Sequence, residues 1–374
     1  MKARPYWVLR IEEAWTKRPI VWLSGVRRVG KTTLAQMLSS EAYLNCDLPS
    51  ASRRLDDPES FYDELEPGSR VVLDEVHRLE DPSRVLKIAA DAYPSVKLLA
   101  TGTSTLAATR KFRDALTGRK LAVHLPPVLW SECIGDFDVR NLDRRLLAGG
   151  LPEPLLAEDR DATFYSEWID SFYARDVQEL FGIRNRTGFL NLLRILCRQS
   201  GSLLDFTSVA KLCGLSRPTV KAHVEALTIA HAAFLLPPFH GGGRREITRR
   251  PKAYAFDTGF VAHSRGWESI RSEDRGLLWE HLVLDMLRTQ FVDRDLFYWR
   301  DKSQREVDFV IRRPGNRADA IECKVNPDRF QAKSLAAFRA LYPAGKNLVL
   351  SPSVKIPYTK RYQDLTVRFT SRLG

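Results

Sequence analysis

"SGVRRVGKTT", residues 24–33, is the stretch that decides the fold of the N-terminal part of the chain. It reads as Gly25, four residues, then Gly30-Lys31-Thr32, between an apolar run of strand length (19–23) and a segment of helical periodicity (32–40). A glycine-rich turn in that position directs backbone N–H groups and the helix N-terminus towards one point, which suits phosphate oxygens. The stretch therefore predicts a phosphate-binding loop, and an ordinary glycine-rich turn is the alternative.

This loop predicts a site for ATP and Mg²⁺. Lys31 is expected to reach the β- and γ-phosphates, and the Thr32 hydroxyl is expected to ligate the metal ion. The residues expected to surround the nucleotide are Gly25, Val26, Arg27, Arg28, Val29, Gly30, Lys31, Thr32 and Thr33.

A second apolar strand, "RVVLDEVH" (70–77), ends in two carboxylates. In P-loop ATPases the aspartate at this point holds Mg²⁺, which here is Asp74. The next residue, Glu75, is expected to polarise the attacking water. The alternative is a solvated acidic turn.

A third apolar strand, "VKLLATGTS" (96–104), ends in hydroxyl groups. A polar residue at that point is suited to sensing the γ-phosphate, and the candidates are Thr101, Thr103 and Ser104. A turn rich in Thr and Ser is the alternative.

The composition is that of a globular protein with several domains. The chain has 374 residues, of which 44% are hydrophobic, enough for two or three domains of about 150 residues each. No apolar stretch approaches the roughly 20 residues of a membrane helix, and the N-terminus lacks a signal-peptide core. The five cysteines have no metal-ligand spacing and are expected to be reduced thiols. We therefore expect a cytoplasmic protein with no membrane partner.

The positive charge of the chain is concentrated in residues 184–252. This segment carries twelve Lys and Arg residues against three Asp and Glu residues, a net charge of +9, whereas the whole chain carries +12. Such a concentration indicates a surface that binds a polyanion.

The pattern within this segment predicts a winged helix. Helical periodicity over 192–201 and 205–215 is followed by a third helical stretch over 216–230, with Ser216 as N-cap and Pro218 in the first turn. Helix, glycine turn and basic helix are typical of a helix-turn-helix, and the glycine-rich basic stretch that follows suits a wing. The alternatives are a small helical domain with a solvated basic face and a winged helix that binds protein.

The side chains expected to face DNA lie in the third helical stretch and in the wing. The apolar stripe of that helix is Val220, Val224 and Leu227, and Arg217, Lys221 and His223 lie outside the stripe. The residues predicted to contact DNA are Arg217, Thr219, Lys221, Arg244 and Arg245.

A second constellation lies near the C-terminus. The segment 304–313 places Asp308 inside an apolar strand. Glu322 and Lys324 lie on one face of the next strand (318–325), because residues two apart in a strand share a face. An Asp followed 14 residues later by Glu-x-Lys is the pattern of PD-(D/E)XK nucleases.

The chemistry of that pattern is metal-assisted hydrolysis of a phosphodiester. Asp308, Glu322 and the backbone carbonyl of Cys323 are the expected Mg²⁺ ligands, and Lys324 positions or activates the water. An amphipathic helix upstream supplies Glu280 as a candidate third acid. The alternative is a salt-bridged sheet edge that holds no metal.

These motifs belong to an ordered set of stretches that covers most of the chain. The stretches are "SGVRRVGKTTLA", "VVLDEVH", "LLATGTS", "LTGRK", "GGLPEPLL", "FYARDV", "GLSRPTVKAHVEAL", "LLPPF", "PKAYAFDTGF", "WEHLVLDML" and "YWRDKSQREVDFVI…AIECKV". With them the chain resembles the prokaryotic AAA+-type ATPases whose C-terminal half is a domain of unknown function with a PD-(D/E)XK-like core. Leu151 stands where an aromatic residue is common and Cys323 where an aliphatic residue is common, and neither side chain belongs to the predicted chemistry.

The resemblance implies an α/β fold in four parts. These are a RecA-like P-loop ATPase domain (1–145), a helical connector or lid (146–185), a winged helix (186–252) and an α/β PD-(D/E)XK-like domain (253–374). It also implies self-association into a ring, with a hexamer favoured, in which a neighbouring subunit supplies an arginine to the γ-phosphate. Arg119, in "LTGRK", is the candidate for that arginine, with Arg110 and Arg113 behind it.

Together these features predict an ATP-hydrolysing protein that moves along or remodels DNA, including branched DNA. One alternative is an ATP switch that gates a C-terminal metal-dependent nuclease in defence or signalling. The other is an ATP-switched binding protein whose nuclease-like fold only holds DNA or protein.

Overall fold

The structure, a computed structural model, describes residues 2–102, 110–178, 181–240 and 250–373. Thr103 and Ser104, and the predicted wing residues Arg244 and Arg245, lie outside these ranges. The chain forms two compact units. Unit one comprises Met1–Arg140, Leu151–Arg184 and Glu225–Ala232, and unit two comprises Asn141–Gly150, Asn185–Val224 and Ala233–Gly374.

Unit one contains a parallel sheet of five strands in the order β2-β3-β4-β1-β5. The strands are β1 (Ile20–Ser24), β2 (Ala42–Asn45), β3 (Arg70–Asp74), β4 (Lys97–Thr101) and β5 (Lys120–His124). All five residues of β1 are buried, as its uninterrupted apolar sequence predicts for a parallel sheet with both faces covered. The order places β4 between β1 and β3, so the polar residue that ends β4 lies between the phosphate loop and the acidic strand end.

Helices cover this sheet, and proline begins five of them, because proline fits the first helical turn without losing a needed N–H. The helices of unit one are α1 (Pro5–Trp15), α2 (Lys31–Gln36), α3 (Pro49–Arg54), α4 (Pro58–Asp63), α5 (Pro82–Ala92), α6 (Arg110–Leu116), α7 (Trp130–Gly135), α9 (Pro152–Leu156) and α10 (Ala162–Phe172). A 3₁₀ turn (Val76–Arg78) follows β3, and a π-helical segment (Tyr173–Gln178) continues α10.

The first part of unit two combines helices with a small antiparallel sheet in the order β6-β8-β7. Its elements are α8 (Leu142–Ala148), α11 (Arg186–Arg198), β6 (Ser202–Leu203), α12 (Phe206–Cys213), α13 (Arg217–Ile229, of which residues 225–229 belong to unit one), β7 (Ala233–Leu236), β8 (Lys252–Ala255) and α14 (Thr258–Arg265). Asp205 caps α12 by accepting from the N–H groups of Thr207 and Ser208, and Gly214, with φ 66°, ends it. Ser216 Oγ accepts from the Thr219 N–H at 3.2 Å, so α13 begins where the sequence predicts.

The second part of unit two is a six-stranded mixed sheet in the order β13-β14-β12-β11-β10-β9. Its strands are β9 (Leu296–Arg300), β10 (Glu306–Arg313), β11 (Arg317–Cys323), β12 (Asn347–Leu350), β13 (Tyr358–Tyr362) and β14 (Leu365–Thr370), and its helices are α15 (Arg275–Gln290) and α16 (Lys333–Leu341). The two strands predicted to carry Asp308 and Glu322 are thereby confirmed, as is the upstream helix. The Trp279 indole N–H on α15 donates to the Leu350 carbonyl at 2.9 Å and fixes this helix on the sheet.

In the part of the chain that the structure describes, no helix is both long and apolar enough to cross a membrane. All five cysteines are buried, and none forms a disulfide.

Candidate functional site

The predicted phosphate loop connects β1 to α2, and glycine is required at both of its ends. Gly30 immediately precedes α2 with φ 99°, a left-handed conformation that L side chains rarely adopt. At Gly25, an added Cβ atom would lie 2.5 Å from the Leu125 carbonyl oxygen. Val26 and Val29 are buried, so these two residues can offer a ligand only their backbone groups.

The Lys31 ammonium is held inside this loop. Its Nζ donates to the carbonyl oxygens of Gly25 at 3.0 Å and Val26 at 3.2 Å. Burial lowers the pKa of Lys31, and the nearby Glu75 carboxylate opposes that shift. Because these hydrogen bonds go to neutral carbonyls, most of the positive charge remains available to a phosphate group.

Asp74 ends β3 with its carboxylate buried between the two neighbouring strands. The Tyr43 hydroxyl on β2 donates to Oδ2 at 2.7 Å, and the Thr101 hydroxyl on β4 donates to Oδ1. Thr101 Oγ1 also accepts from the Glu75 N–H at 3.0 Å. One hydroxyl at the end of β4 therefore fixes both acidic residues, which is the position that the sequence predicts for a sensing residue.

Glu75 follows Asp74 with φ 56°, a left-handed backbone that turns its side chain away from the strand direction. Its Oε2 lies 3.2 Å from Nδ1 of His77. Burial raises the pKa of Glu75, but the His77 imidazole and the positive charge of Lys31 outweigh burial, so the pKa lies below its usual value. The carboxylate is therefore ionised at neutral pH, as a group that polarises water must be.

A cavity of about 600 Å³ opens over this loop within unit one. Gly25, Lys31, Thr32 and Glu75 are among the residues that line it, and its apolar lining includes Phe137, Pro152, Leu156 and Phe172. Its size and mixed lining are those of a small-ligand site. The residues present fit a Mg–nucleotide complex, because two glycines shape the cradle and the Thr32 hydroxyl and Asp74 carboxylate are hard oxygen donors of the kind that Mg²⁺ prefers.

Two residues that contact the phosphate loop, Asp176 and Trp168, were not predicted from the sequence. The Arg27 Nε donates at 3.0 Å to Oδ2 of Asp176, which lies in the π-helical segment. The Trp168 indole on α10 donates to the Arg27 carbonyl at 2.9 Å. The stretch "FYARDV" that contains Asp176 was noted in the sequence, but nothing in its pattern links it to a loop about 150 positions earlier.

The predicted trans-acting arginine is engaged at the surface of unit one. Arg119 Nε and Nη2 donate to the two carboxylate oxygens of Asp91 at 2.5 and 3.0 Å. The pair is partly exposed, so it is weak enough for Arg119 to exchange partners. The side chains of Arg110 and Arg113 lie outside the described part of the chain.

The predicted DNA-contacting residues on α13 differ in exposure. Arg217 and Lys221 are exposed, whereas Thr219 is half-buried and its hydroxyl lies 2.7 Å from that of Ser216. The placement of His223 outside the apolar stripe is wrong. His223 is 6% exposed and packs edge-on against Phe189, with ring centroids 5.7 Å apart.

The C-terminal constellation brings its predicted residues together in unit two. Asp308 Oδ2 accepts from the Cys323 N–H at 2.7 Å and lies 3.6 Å from the Lys324 ammonium. Lys324 Nζ also donates to Glu322 Oε2 at 2.8 Å and to the Cys323 carbonyl at 3.1 Å. The three oxygen donors predicted for a metal ion thus converge on one cation, which in this structure is the ammonium group.

The predicted third acid of that constellation has partners of its own. Glu280 accepts from the Lys252 ammonium at 3.0 Å and from the Tyr254 hydroxyl, and Lys252 also lies 2.6 Å from Glu306. Lys252, counted above in the basic segment, is therefore buried and adds nothing to a basic surface. Within the described ranges, no group of three or more His, Cys, Asp or Glu residues is arranged to hold a metal ion.

The electrostatics of the constellation still favour cations. Burial and the negative charge of Asp308 raise the pKa of Glu322. The charges of Asp308 and Glu322 also raise the pKa of Lys324, against the effect of burial. The raised pKa of Lys324 indicates that the two carboxylates favour a cation at this point. Among the described residues, Glu322 Oε1 is buried and has no hydrogen-bond partner.

Comparison with known protein families gives a match in three consecutive segments. Residues 17–134 match the model of an AAA domain, and residues 139–271 and 275–367 match two domains of unknown function, DUF8612 and DUF4143. The first match covers the sheet and loop described above. The chain therefore contains an α/β P-loop domain of the AAA type, and the match supports nucleotide binding and ATP hydrolysis there.

The curated relatives carry no functional description. An uncharacterized protein of Mycobacterium tuberculosis and one of Mycobacterium bovis are each 26% identical over 317 residues, which cover 82% of this chain and 70% of the relative.

The solved structures that match part of this chain include a RuvB variant from Thermotoga maritima. It is 14% identical and covers 63% of this chain and 90% of its own, with a TM-score of 0.32. AMPPCP-bound DnaA from Aquifex aeolicus is 13% identical and covers 60% of this chain and 87% of its own, with a TM-score of 0.29. TM-scores of this size do not establish a shared fold.

Proposed function

We propose that this protein hydrolyses ATP and uses the energy to move along or remodel DNA, branched DNA included. The observation that carries the ATPase part is that Lys31 and Glu75 line one cavity, with the Glu75 backbone held by the buried Thr101 hydroxyl, within a segment that matches AAA domains. The observation that favours DNA is the set of exposed basic residues on the three helices that precede β7.

The described residues divide the work of hydrolysis between them. Lys31 holds the β- and γ-phosphate oxygens and stabilises the charge that develops on them. Glu75 accepts a hydrogen bond from the attacking water and so directs its oxygen at the γ-phosphorus. Thr101 keeps Asp74 and the Glu75 backbone in register. Thr32 and Asp74 would hold Mg²⁺, which would neutralise part of the phosphate charge.

The element order α11-β6-α12-α13-β7-β8, with its antiparallel sheet, supports a winged helix in which α13 faces DNA. Basic residues are exposed on all three helices of this part. They are Arg186, Arg194, Arg198, Lys211, Arg217 and Lys221.

Replacing Arg217 and Lys221 together by alanine is expected to weaken DNA binding and flatten its salt dependence. Each lost phosphate contact removes roughly one unit from the slope of log affinity against log salt concentration. Fluorescence anisotropy with labelled duplex DNA over a salt series measures both effects. An alanine pair at Arg53 and Arg54, on exposed α3, controls for the loss of charge alone, and a salt slope equal to that of the wild type would remove α13 from the interface.

The proposed assembly is a ring, with a hexamer favoured, in which Arg119 leaves Asp91 and reaches the γ-phosphate of the neighbouring subunit. The partial exposure of the Arg119–Asp91 pair supports this exchange, because solvent competes with an exposed ion pair and weakens it.

A second candidate function is a metal-dependent DNA nuclease in unit two. It is favoured by the convergence of oxygen donors at Lys324 and by the buried, unpartnered Oε1 of Glu322. The oxygen atoms of Asp308, Glu322 and the Cys323 carbonyl fit a divalent ion if the Lys324 ammonium leaves the position between them. Lys324 would then hydrogen-bond to the attacking water. If the site binds no metal, the domain serves as a binding platform for DNA or protein.

We expect weak Mg²⁺ or Mn²⁺ binding at Asp308 and Glu322, and any DNA cleavage should be lost in Asp308→Ala and in Lys324→Ala. ATP turnover should be retained in both variants, because the P-loop belongs to unit one. Titration calorimetry with Mn²⁺ and a plasmid-nicking assay measure the two activities, with Asp328→Ala, on an exposed turn, as the control. Neither binding nor cleavage on any DNA form would exclude the nuclease and leave ATP-driven work on DNA in place.

A further inference from the structure

Among the described residues, Arg27 is the only residue of the phosphate loop whose side chain is tied to a half-buried acidic partner, Asp176. Its Nε donates to Asp176, and the side chains are 26% and 14% exposed. The two terminal nitrogens of the guanidinium make no hydrogen bond to any described residue. The phosphate-binding loop therefore carries an arginine whose two terminal nitrogens are available to hydrogen-bond to a ligand.

The position of this guanidinium relates it to the chemistry at the end of the cavity. Arg27, Lys31, Glu75 and Asp176 all line the same cavity. The charge of Arg27 lowers the pKa of Lys31, after the larger effect of burial, and it also contributes to the lowered pKa of Glu75. Arg27 therefore lines the same cavity as Lys31 and Glu75, the two groups expected to flank a terminal phosphate.

We propose that the Arg27 side chain is a further substrate-binding group of this site, which contacts the terminal phosphate of a bound nucleoside triphosphate from within the same chain. Asp176 aims the guanidinium through Nε, and the two free terminal nitrogens form the fork that matches phosphate oxygens. This inference rests on the proposed ATPase function, but it does not depend on DNA or on a ring.

A purely structural role for the ion pair explains less. The loop is already tied to α10 by the hydrogen bond from the Trp168 indole to the Arg27 carbonyl, which any residue at position 27 would accept. The side chain is thus not needed to hold the loop, whereas its charge is well placed for a ligand with a terminal phosphate.

The test compares the binding of ADP with that of a non-hydrolysable ATP analogue, followed by steady-state turnover. In Arg27→Ala we expect the affinity for the ATP analogue to fall on the order of ten-fold or more, because a charge-assisted hydrogen bond is lost. The affinity for ADP should change less than about three-fold, and kcat should fall on the order of 10²-fold. Arg27→Lys should recover only part of this loss, because an ammonium lacks the fork.

Asp176→Asn tests whether Asp176 orients the Arg27 guanidinium or is needed only for the folding of the loop. It leaves the arginine in place, so we expect a smaller loss of affinity for the ATP analogue than in Arg27→Ala. Arg10→Ala, on exposed α1, is the matched control, and thermal unfolding checks that each variant folds. The proposal would be overturned if Arg27→Ala lost affinity for ADP and for the ATP analogue equally. It would also be overturned if Asp176→Asn lost as much affinity for the ATP analogue as Arg27→Ala does. If DNA does not change the ATP turnover of the wild-type protein, the proposed DNA function is contradicted. The effect of Arg27→Ala on nucleotide affinity would still test the role of Arg27.

Discussion

Replacing Lys31 by alanine is expected to reduce ATP turnover on the order of 10³-fold and to weaken nucleotide binding. The ammonium lies inside the loop, and among the described residues it donates hydrogen bonds only to two backbone carbonyls. Its charge is therefore not paired with a carboxylate in a salt bridge within the described residues. Its removal deletes the cation that stabilises the charge on the β- and γ-phosphates. Phosphate release under saturating ATP and titration with a fluorescent nucleotide measure the two losses.

The matched control for this variant is Lys17→Ala, at an exposed position in the turn that follows α1. Removing the buried Lys31 ammonium leaves two carbonyls without a donor, so thermal unfolding should be compared before the activities are interpreted. A Lys31→Ala protein that folds and turns over ATP at more than a tenth of the wild-type rate would show that the P-loop is not the hydrolytic site.

Replacing Glu75 by glutamine is expected to leave nucleotide binding intact and to slow hydrolysis on the order of 10²- to 10³-fold. Glutamine keeps the size of the side chain, and the Glu75 N–H keeps its bond to Thr101, so the loop geometry should survive. What is lost is an ionised acceptor for the water, whose contribution is typically about 10²–10⁴-fold. A single-turnover assay isolates this step from product release.

Glu80→Gln, an exposed position near the end of the same loop, controls for the change of charge. The role assigned to Glu75 is wrong if the Glu75→Gln protein hydrolyses ATP as fast as the control does. A loss of binding in place of a loss of rate would instead assign Glu75 to nucleotide contact.

The phosphate loop and the acidic strand end could be predicted from sequence because each depends on neighbours within a few residues. Gly25 and Gly30 are needed for local backbone geometry, and Asp74 and Glu75 follow directly from a buried strand. In the same way, the strands of the C-terminal constellation follow from their apolar runs, and the apolar stripe of α13 from its period.

The partners of these residues could not be predicted, because they come from distant parts of the chain. Tyr43 reaches Asp74 only because β2 pairs with β3, and Asp176 reaches Arg27 only after the π-helical segment is placed beside the loop. Lys252 was assigned to a basic surface from local charge, but burial beside Glu280 and Glu306 gives it a different role. The prediction for His223 was wrong for a related reason, because the buried stripe of α13 includes more residues than the three apolar ones.

The central claim, that ATP hydrolysis drives work on DNA, is tested most directly by measuring ATP turnover with single-stranded, duplex and branched DNA at one salt concentration. We predict that at least one DNA form raises turnover several-fold, that the Arg217 and Lys221 double variant loses this stimulation, and that Lys31→Ala shows no turnover with any DNA. Turnover that is the same with all three DNA forms as without DNA would contradict the claim.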